Sequence, residues 1–138
     1  MIYDVEESVG FLLAKAYQYV TILCKGEFAA YEITPPQFVL LAYLWRQDCL
    51  SQTELAKKSQ IDPATISGIV NRLEKCGLVL RLPCPEDRRA CRITLTVQGR
   101  ALEEELIAAA RRVRDKLLKR IPPNEYKSLG RILKMIVT

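Results

Sequence analysis

Apolar residues recur every three or four positions along most of the chain, which is the period of an amphipathic helix. The pattern predicts helices for most of the sequence, interrupted once by two short β-branched and aliphatic runs that predict a two-stranded ribbon. The predicted helices are a long one reaching about Ala30, one from Pro35, one from Ser51 to a turn at 57–60, one from Pro63 to Gly77, one from Val97 to about Arg120 and one from Asn124 to Ile136. The predicted strands are Leu78–Leu82 and Cys91–Leu95.

Capping residues mark the two short central helices. Ser51 is followed three positions later by Glu54, a capping box in which each side chain accepts from a free amide of the first turn. Asp62 is a strong N-cap, and Pro63 suits the first helical position because its missing N–H would have had no partner there. Gly77 is expected to end the second helix. Two short helices joined by a tight turn indicate a helix-turn-helix.

The second helix of this pair has one apolar face and one face of small and polar residues. Ile66, Ile69, Val70 and Leu73 form the apolar stripe. Small, hydroxyl, amide and guanidinium groups suit entry into a DNA major groove, where base edges offer donors, acceptors and thymine methyls. An ordinary solvated face is the alternative. The candidate DNA-binding residues of this helix are Ala64, Thr65, Ser67, Gly68, Asn71 and Arg72.

The connection between the two predicted strands carries two adjacent arginines. We expect Pro83–Ala90 to be a loop, because its two prolines cannot donate to a sheet ladder. Arg88 and Arg89 at its tip can reach along a narrow minor groove, which attracts arginine, and Asp87 is placed to hold one of them. The helix pair and the ribbon together predict a mainly α fold with a small β-wing (α+β), a winged helix-turn-helix.

Three segments resemble a known family. The run Asp87–Thr96 resembles the wing signature D-x-R-x-x-x-I-x-L-T of the MarR family of bacterial transcriptional regulators. Ile33–Leu40 is similar to the opening of that family's second helix, and Arg72–Val79 to the end of its recognition helix. The resemblance covers essentially the whole chain and implies one MarR-like domain over residues 1–138.

The terminal helices carry more apolar surface than a domain of this size can bury. The resemblance implies that they dimerise, with residues 1–32 and 97–138 as dimerisation helices and residues 33–96 as the DNA-binding lobe. A homodimer would cover the surplus apolar stripes, since large apolar patches tend to mark interfaces. A monomeric helical bundle is the alternative.

The net charge of +5 is unevenly distributed. Residues 1–50 carry 3 Lys and Arg against 6 Asp and Glu, residues 51–96 carry 8 against 5, and residues 97–138 carry 10 against 5. Basic charge in the centre and the C-terminal third fits a phosphate partner. No secretion signal and no membrane-spanning run is found, so a cytoplasmic protein is expected.

The five cysteines form no C-x-x-C pair, and the chain contains no histidine. We therefore expect no metal site and no cofactor. The resemblance suggests a thiol sensor, because some relatives sense oxidants through a cysteine of the first helix. Small buried or half-exposed apolar side chains are the alternative for all five. The candidate redox residues are Cys24, in the first helix, and Cys84 and Cys91, which flank the wing tip.

The sequence contains no phosphate-binding glycine loop and no nucleophile with a neighbouring base, so we predict that the protein is not an enzyme. The predicted function is a homodimeric transcriptional regulator that binds a pseudo-palindromic double-stranded operator. We expect repression, although the sequence alone does not distinguish a repressor from an activator. Release by a small-molecule effector or by thiol oxidation is expected. A winged-helix module that binds protein instead of DNA is the alternative, and the two wing arginines argue against it.

Overall fold

The computed structural model describes the backbone of residues 1–138 and the side chains of residues 1–86 and 91–138. Seven α-helices and three strands make up the fold. The helices are α1 (Val9–Phe28), α2 (Pro35–Arg46), α3 (Gln52–Ser59), α4 (Pro63–Lys75), α5 (Val97–Ala101), α6 (Glu103–Leu118) and α7 (Pro123–Val137). The strands are β1 (Leu50–Ser51), β2 (Val79–Cys84) and β3 (Asp87–Leu95). A mainly α chain with a small antiparallel sheet is thereby confirmed.

The predicted N-caps are confirmed. Ser51 Oγ accepts from the Glu54 amide at 3.0 Å, and Glu54 Oε1 accepts from the Ser51 amide at 3.3 Å, so the capping box of α3 is complete. At α4, Asp62 Oδ2 accepts from the Thr65 amide at 3.2 Å, with Pro63 in the first turn. Both helices of the central pair therefore begin where local side-chain chemistry satisfies their free amides.

Helix α4 ends at a left-handed glycine, as predicted. Gly77 has φ +75° and follows the C-cap residue Cys76. The Leu78 amide donates to the Leu73 carbonyl at 3.0 Å, and the Gly77 amide donates to the Glu74 carbonyl at 3.0 Å. These two bonds form a Schellman motif, which satisfies the last carbonyls of the helix and turns the chain toward β2.

The predicted two-stranded ribbon is confirmed as the antiparallel pair β2 and β3, and a third strand that was not predicted, β1, extends it to a sheet of order β1-β3-β2. Strand β1 contributes only two residues, with Leu50 opposite Ile93 and Ser51 opposite Arg92. Ser51 is thus both the end of a strand and the N-cap of α3. A two-residue strand has no periodicity of its own, and it exists because β3 passes beside it.

The prediction that Pro83–Ala90 form an eight-residue loop was wrong. Strand β2 continues to Cys84 and β3 begins at Asp87, which leaves a turn at residues 85–86. The register shifts between Pro83, which lies opposite Cys91, and Cys84, which lies opposite Asp87. Pro83 is tolerated within a strand because β2 is an edge strand and needs no donor on its outer side.

The long helix predicted from Val97 to about Arg120 is divided in two at Leu102 and ends at Leu118. Trp45 Nε1 donates to the Gly99 carbonyl at 2.9 Å. In an unbroken helix that carbonyl would accept from the amide four residues later, so this contact favours the break. At the other end of the chain, α1 begins only at Val9, after a short 3-10 turn at Val5–Glu7.

The chain forms two compact units, residues 28–107 and residues 1–27 with 108–138. The first unit, the lobe, contains most of the buried apolar side chains: Phe28, Ile33, Leu40, Leu41, Leu44, Leu50, Leu55, Ile66, Ile69, Val70, Leu73, Leu78, Val79, Ile93, Leu95 and Leu106. The second, the terminal unit, buries Ala109 and Val113. Its helix α7 contains no buried residue.

One cluster of charges links α1 to α6 within the terminal unit. The Glu27 carboxylate accepts from Lys116 Nζ at 2.8 Å and from Arg112 Nε at 2.7 Å. Hydrogen bonds from Lys116 and then Arg112 lower the pKa of Glu27. The carboxylate therefore stays ionised and holds the two helices together.

Candidate nucleic-acid interface

Helix α4 has the two faces that its sequence predicted. The stripe Ile66, Ile69, Val70 and Leu73 is buried in the core of the lobe. On the other side of the helix, Ala64, Thr65, Asn71 and Arg72 are exposed, and Ser67 and Gly68 are half-buried. The structure thus leaves one side of a well-anchored helix accessible and free of bulky apolar groups.

The middle of this accessible face is open space. A Cβ placed on Gly68 would meet no atom within 4 Å, so the glycine is not required by packing within the chain. Its neighbours on the face are small or polar, which allows the helix backbone to approach a partner closely. An α-helix in contact with base edges in a major groove needs this kind of approach.

Thr65 has a local role as well as an exposed position. Its hydroxyl donates to Asp62 Oδ1, and its amide donates to Asp62 Oδ2. These bonds lower the pKa of Asp62, with the side-chain bond from Thr65 as the largest cause. The Thr65 hydroxyl is thereby fixed in orientation, while its methyl group and its lone pairs stay available at the N-terminal end of the face.

A residue that the sequence did not indicate joins the wing to this helix. Arg81 of β2 donates through its amide to Glu74 Oε2 at 3.2 Å and through Nη1 to Glu74 Oε1 at 3.0 Å. Its Nε and Nη2 both donate to Gln52 Oε1 of α3 at 3.3 Å. Arg81 therefore fixes the base of the wing against both helices of the helix-turn-helix.

Asp48 is a second junction that sequence reasoning missed. Its carboxylate accepts from the Leu95 amide at 2.9 Å and from the Thr94 hydroxyl at 3.2 Å, and it pairs with Arg100. It thus ties the loop before β1 to the end of β3 and to α5. Neither junction has a local sequence signal, since the partners lie far apart along the chain.

The wing arginines fall outside the described side chains. The backbone of Asp87, Arg88 and Arg89 belongs to β3, but the structure does not describe the side chains of residues 87–90. Their predicted contact with a minor groove, and the orienting role of Asp87, therefore stay predictions.

The three candidate redox cysteines lie in different surroundings. Cys24 is half-buried, and burial raises the pKa of its thiol, which disfavours the reactive thiolate. Cys84 and Cys91 are half-buried near the wing. A hydrogen bond with Cys84 raises the pKa of Arg92, which places the Cys84 sulfur beside a guanidinium. The wing thiol Cys84 is thus a better candidate than Cys24.

Within the described part of the chain, no group of three or more acidic, cysteine or histidine side chains is placed to hold a metal ion. No helix there is both long enough and apolar enough to cross a bilayer.

Helix α4 buries its apolar side, exposes its polar side and is held against an antiparallel ribbon. This arrangement defines a winged helix-turn-helix protein. Residues 33–91 match the MarR family model. The transcriptional repressor NicR of Pseudomonas putida is 37% identical over 135 residues, covering 98% of this chain and 85% of NicR. On this similarity, the chain belongs to the MarR family.

Two solved structures share the whole fold. BpsR of Bordetella bronchiseptica, whose structure concerns the regulation of its DNA binding by 6-hydroxynicotinic acid, is 31% identical, with a TM-score of 0.92 over 99% of this chain and 98% of BpsR. A probable transcriptional regulator from Pseudomonas aeruginosa is also 31% identical, with a TM-score of 0.91 over 96% of this chain and 99% of that one.

Proposed function

We propose that the protein is a transcriptional repressor that binds a pseudo-palindromic operator as a homodimer. The observation that carries the proposal is the exposed polar face of α4, held on a buried apolar stripe in a lobe of the MarR family. NicR, a relative that matches almost the whole chain, is a repressor, which supports repression here. Residues 33–96 would bind DNA, and residues 1–32 and 97–138 would dimerise.

Each residue of the face has a proposed role set by its chemistry. Thr65, Ser67 and Asn71 would contact base edges, and Arg72 would contact a base or a phosphate. Ala64 and Gly68 would allow close approach of the helix. Arg88 and Arg89 would lie over the neighbouring minor groove, with Asp87 orienting one of them. Two such lobes would place their helices in major grooves about one helical turn apart.

Asn71→Ala and Arg89→Ala are expected to weaken DNA binding in different ways. Loss of a base contact at Asn71 should change the preference among operator sequences by roughly 1–3 kcal/mol. Loss of a phosphate contact at Arg89 should weaken binding to all duplexes and reduce the salt slope by about 1. Fluorescence anisotropy with an operator selected from genomic fragments, a scrambled duplex and several salt concentrations measures both effects.

Two outcomes would count against this assignment. If the wild-type protein binds the selected and scrambled duplexes equally weakly at all salt concentrations, a protein-binding module becomes the better interpretation. If Arg89→Ala changes neither affinity nor salt slope, the wing has no part in binding.

We further propose that the protein releases its operator when it binds an aromatic acid of the 6-hydroxynicotinic acid type. BpsR, whose DNA binding that compound regulates, matches this chain over nearly its full length. Adding the compound to the operator complex should lower its anisotropy, whereas benzoate at the same concentration should not.

Thiol oxidation is the other proposed route to release of the operator. If it operates, a Cys84→Ser variant should stay bound to the operator under a diamide treatment that dissociates the wild-type complex. If neither treatment acts, both routes are wrong.

A further inference from the structure

Helix α7 has a shallow groove on one side. The groove has a volume of about 390 Å³ and is lined by Tyr126, Lys127, Gly130, Arg131 and Lys134. A Cβ placed on Gly130 would meet no atom within 4 Å, so the space beside this residue is open. The missing side chain leaves space for an apolar or aromatic group between the aliphatic stems of the basic residues.

The groove is strongly basic. Lys127, Arg131 and Lys134 are all exposed and lie three and four residues apart, so they share one side of the helix. None of the three forms an ion pair with a side chain that the structure describes. The groove therefore has the chemistry of a site for an acidic peptide that also carries apolar side chains.

Residues 1–7 are a peptide of that kind. This segment, the acidic arm, has the sequence MIYDVEE and is exposed throughout. Ile2 and Tyr3 are 95% and 76% exposed. Asp4, Glu6 and Glu7 form no ion pair with any described side chain. Exposed apolar and aromatic residues of this size are costly in water, so the arm is expected to gain a partner.

We propose that the acidic arm of one protomer lies in the basic groove of a second copy, with apolar arm residues over Gly130 and the three carboxylates facing the three cations. Within a single chain the arm and the groove both stay exposed, although they belong to the same compact unit. A second copy can cover both at once, and each dimer forms the contact twice. The inference rests on the proposed homodimer and names a contact that sets its strength.

Charge reversal on either side tests the contact in the full-length protein. The arm-reversed variant is D4K/E6K/E7K, and the groove-reversed variant is K127E/R131E/K134E. Each should weaken dimerisation at low salt by at least about tenfold, because several exposed ion pairs become repulsive in both copies of the contact. The loss should shrink in roughly 1 M NaCl, where charges are screened within a few ångströms. Sedimentation equilibrium gives the dissociation constants, and circular dichroism checks that both variants fold.

Mixing the two variants decides whether the contact is between copies. In an equimolar mixture, a heterodimer pairs the reversed arm with the reversed groove and the unreversed arm with the unreversed groove. Dimerisation should therefore recover in the mixture. A contact within one chain would stay mismatched in both proteins and would show no recovery. The matched control is R111E/R114E/K119E, which changes three exposed cations of residues 108–120 by the same total charge and should not restore the arm-reversed variant.

Four results would overturn the proposal. They are unchanged dimerisation in both variants, no recovery in the mixture, equal recovery with the control, and a groove-reversed variant that dimerises normally but loses operator affinity. The last would indicate that the groove binds DNA. In all four the wild type can still be a dimeric repressor, whereas a monomeric wild type that binds its operator with full affinity would instead overturn the proposed homodimer.

Discussion

Replacement of Gly99 by alanine is expected to lower the free energy of unfolding by about 3 kcal/mol. A Cβ at this position would overlap the backbone carbonyl oxygen of Leu78 and would press on the Leu95 side chain at 3.2 Å. The Leu78 carbonyl cannot move away easily, because it accepts from the Thr96 amide at 3.0 Å. The added methyl must therefore shift α5 away from the end of α4. Urea unfolding followed by circular dichroism measures the loss.

Gly68→Ala is the matched control for this prediction. It makes the same chemical change in the same lobe, but its Cβ meets nothing within 4 Å. Alanine is favoured over glycine inside a helix by roughly 1 kcal/mol, so Gly68→Ala should be neutral or slightly stabilising. If the two variants unfold at the same urea concentration, the close contact at Gly99 does not constrain the fold.

Ile132→Asp is expected to weaken dimerisation by at least about 100-fold and to reduce operator affinity with it. Ile132 lies on α7, where no residue is buried within the chain, and its side chain is 46% exposed. If a second copy covers this face, the substitution places an unpaired carboxylate in an apolar interface twice per dimer, at a cost of several kcal/mol. Sedimentation equilibrium and anisotropy on the same preparations measure the two losses.

Leu80→Asp provides the comparison on the lobe. Leu80 lies on β2 and is 49% exposed, so this variant makes nearly the same change of side chain as Ile132→Asp, at a residue of nearly the same exposure. This variant should keep the dimerisation constant of the wild type. Equal weakening by both substitutions would mean that added charge, and not the face of α7, disturbs assembly.

The parts of the fold that follow from residues three or four positions apart could be predicted from the sequence. The capping box at Ser51 and the cap at Asp62 depend on such local pairs, and both are confirmed. The buried stripe of α4 follows from helical periodicity in the same way. For this reason the helix-turn-helix and its open face could be predicted from the sequence.

The parts that depend on distant residues could not be predicted. Strand β1 is defined by its pairing with β3, more than forty residues later. The break at Leu102 coincides with a hydrogen bond from Trp45 to Gly99, and the junctions at Arg81 and Asp48 join separate elements. These features arise from tertiary contacts, which leave no periodic signal. The predicted length of the wing loop was too great because proline was taken to exclude a strand, whereas an edge strand tolerates proline.

Strand β2 has one edge that no other strand covers, and exposed edges promote aggregation by pairing with edges of other molecules. Here the Arg81 amide is already bonded to Glu74, and the next residue facing the same way, Pro83, has no amide hydrogen. Two consecutive donor positions on this edge are therefore unavailable to an intruding strand. The lobe can in this way be concentrated on DNA without the wings of neighbouring molecules joining into larger sheets.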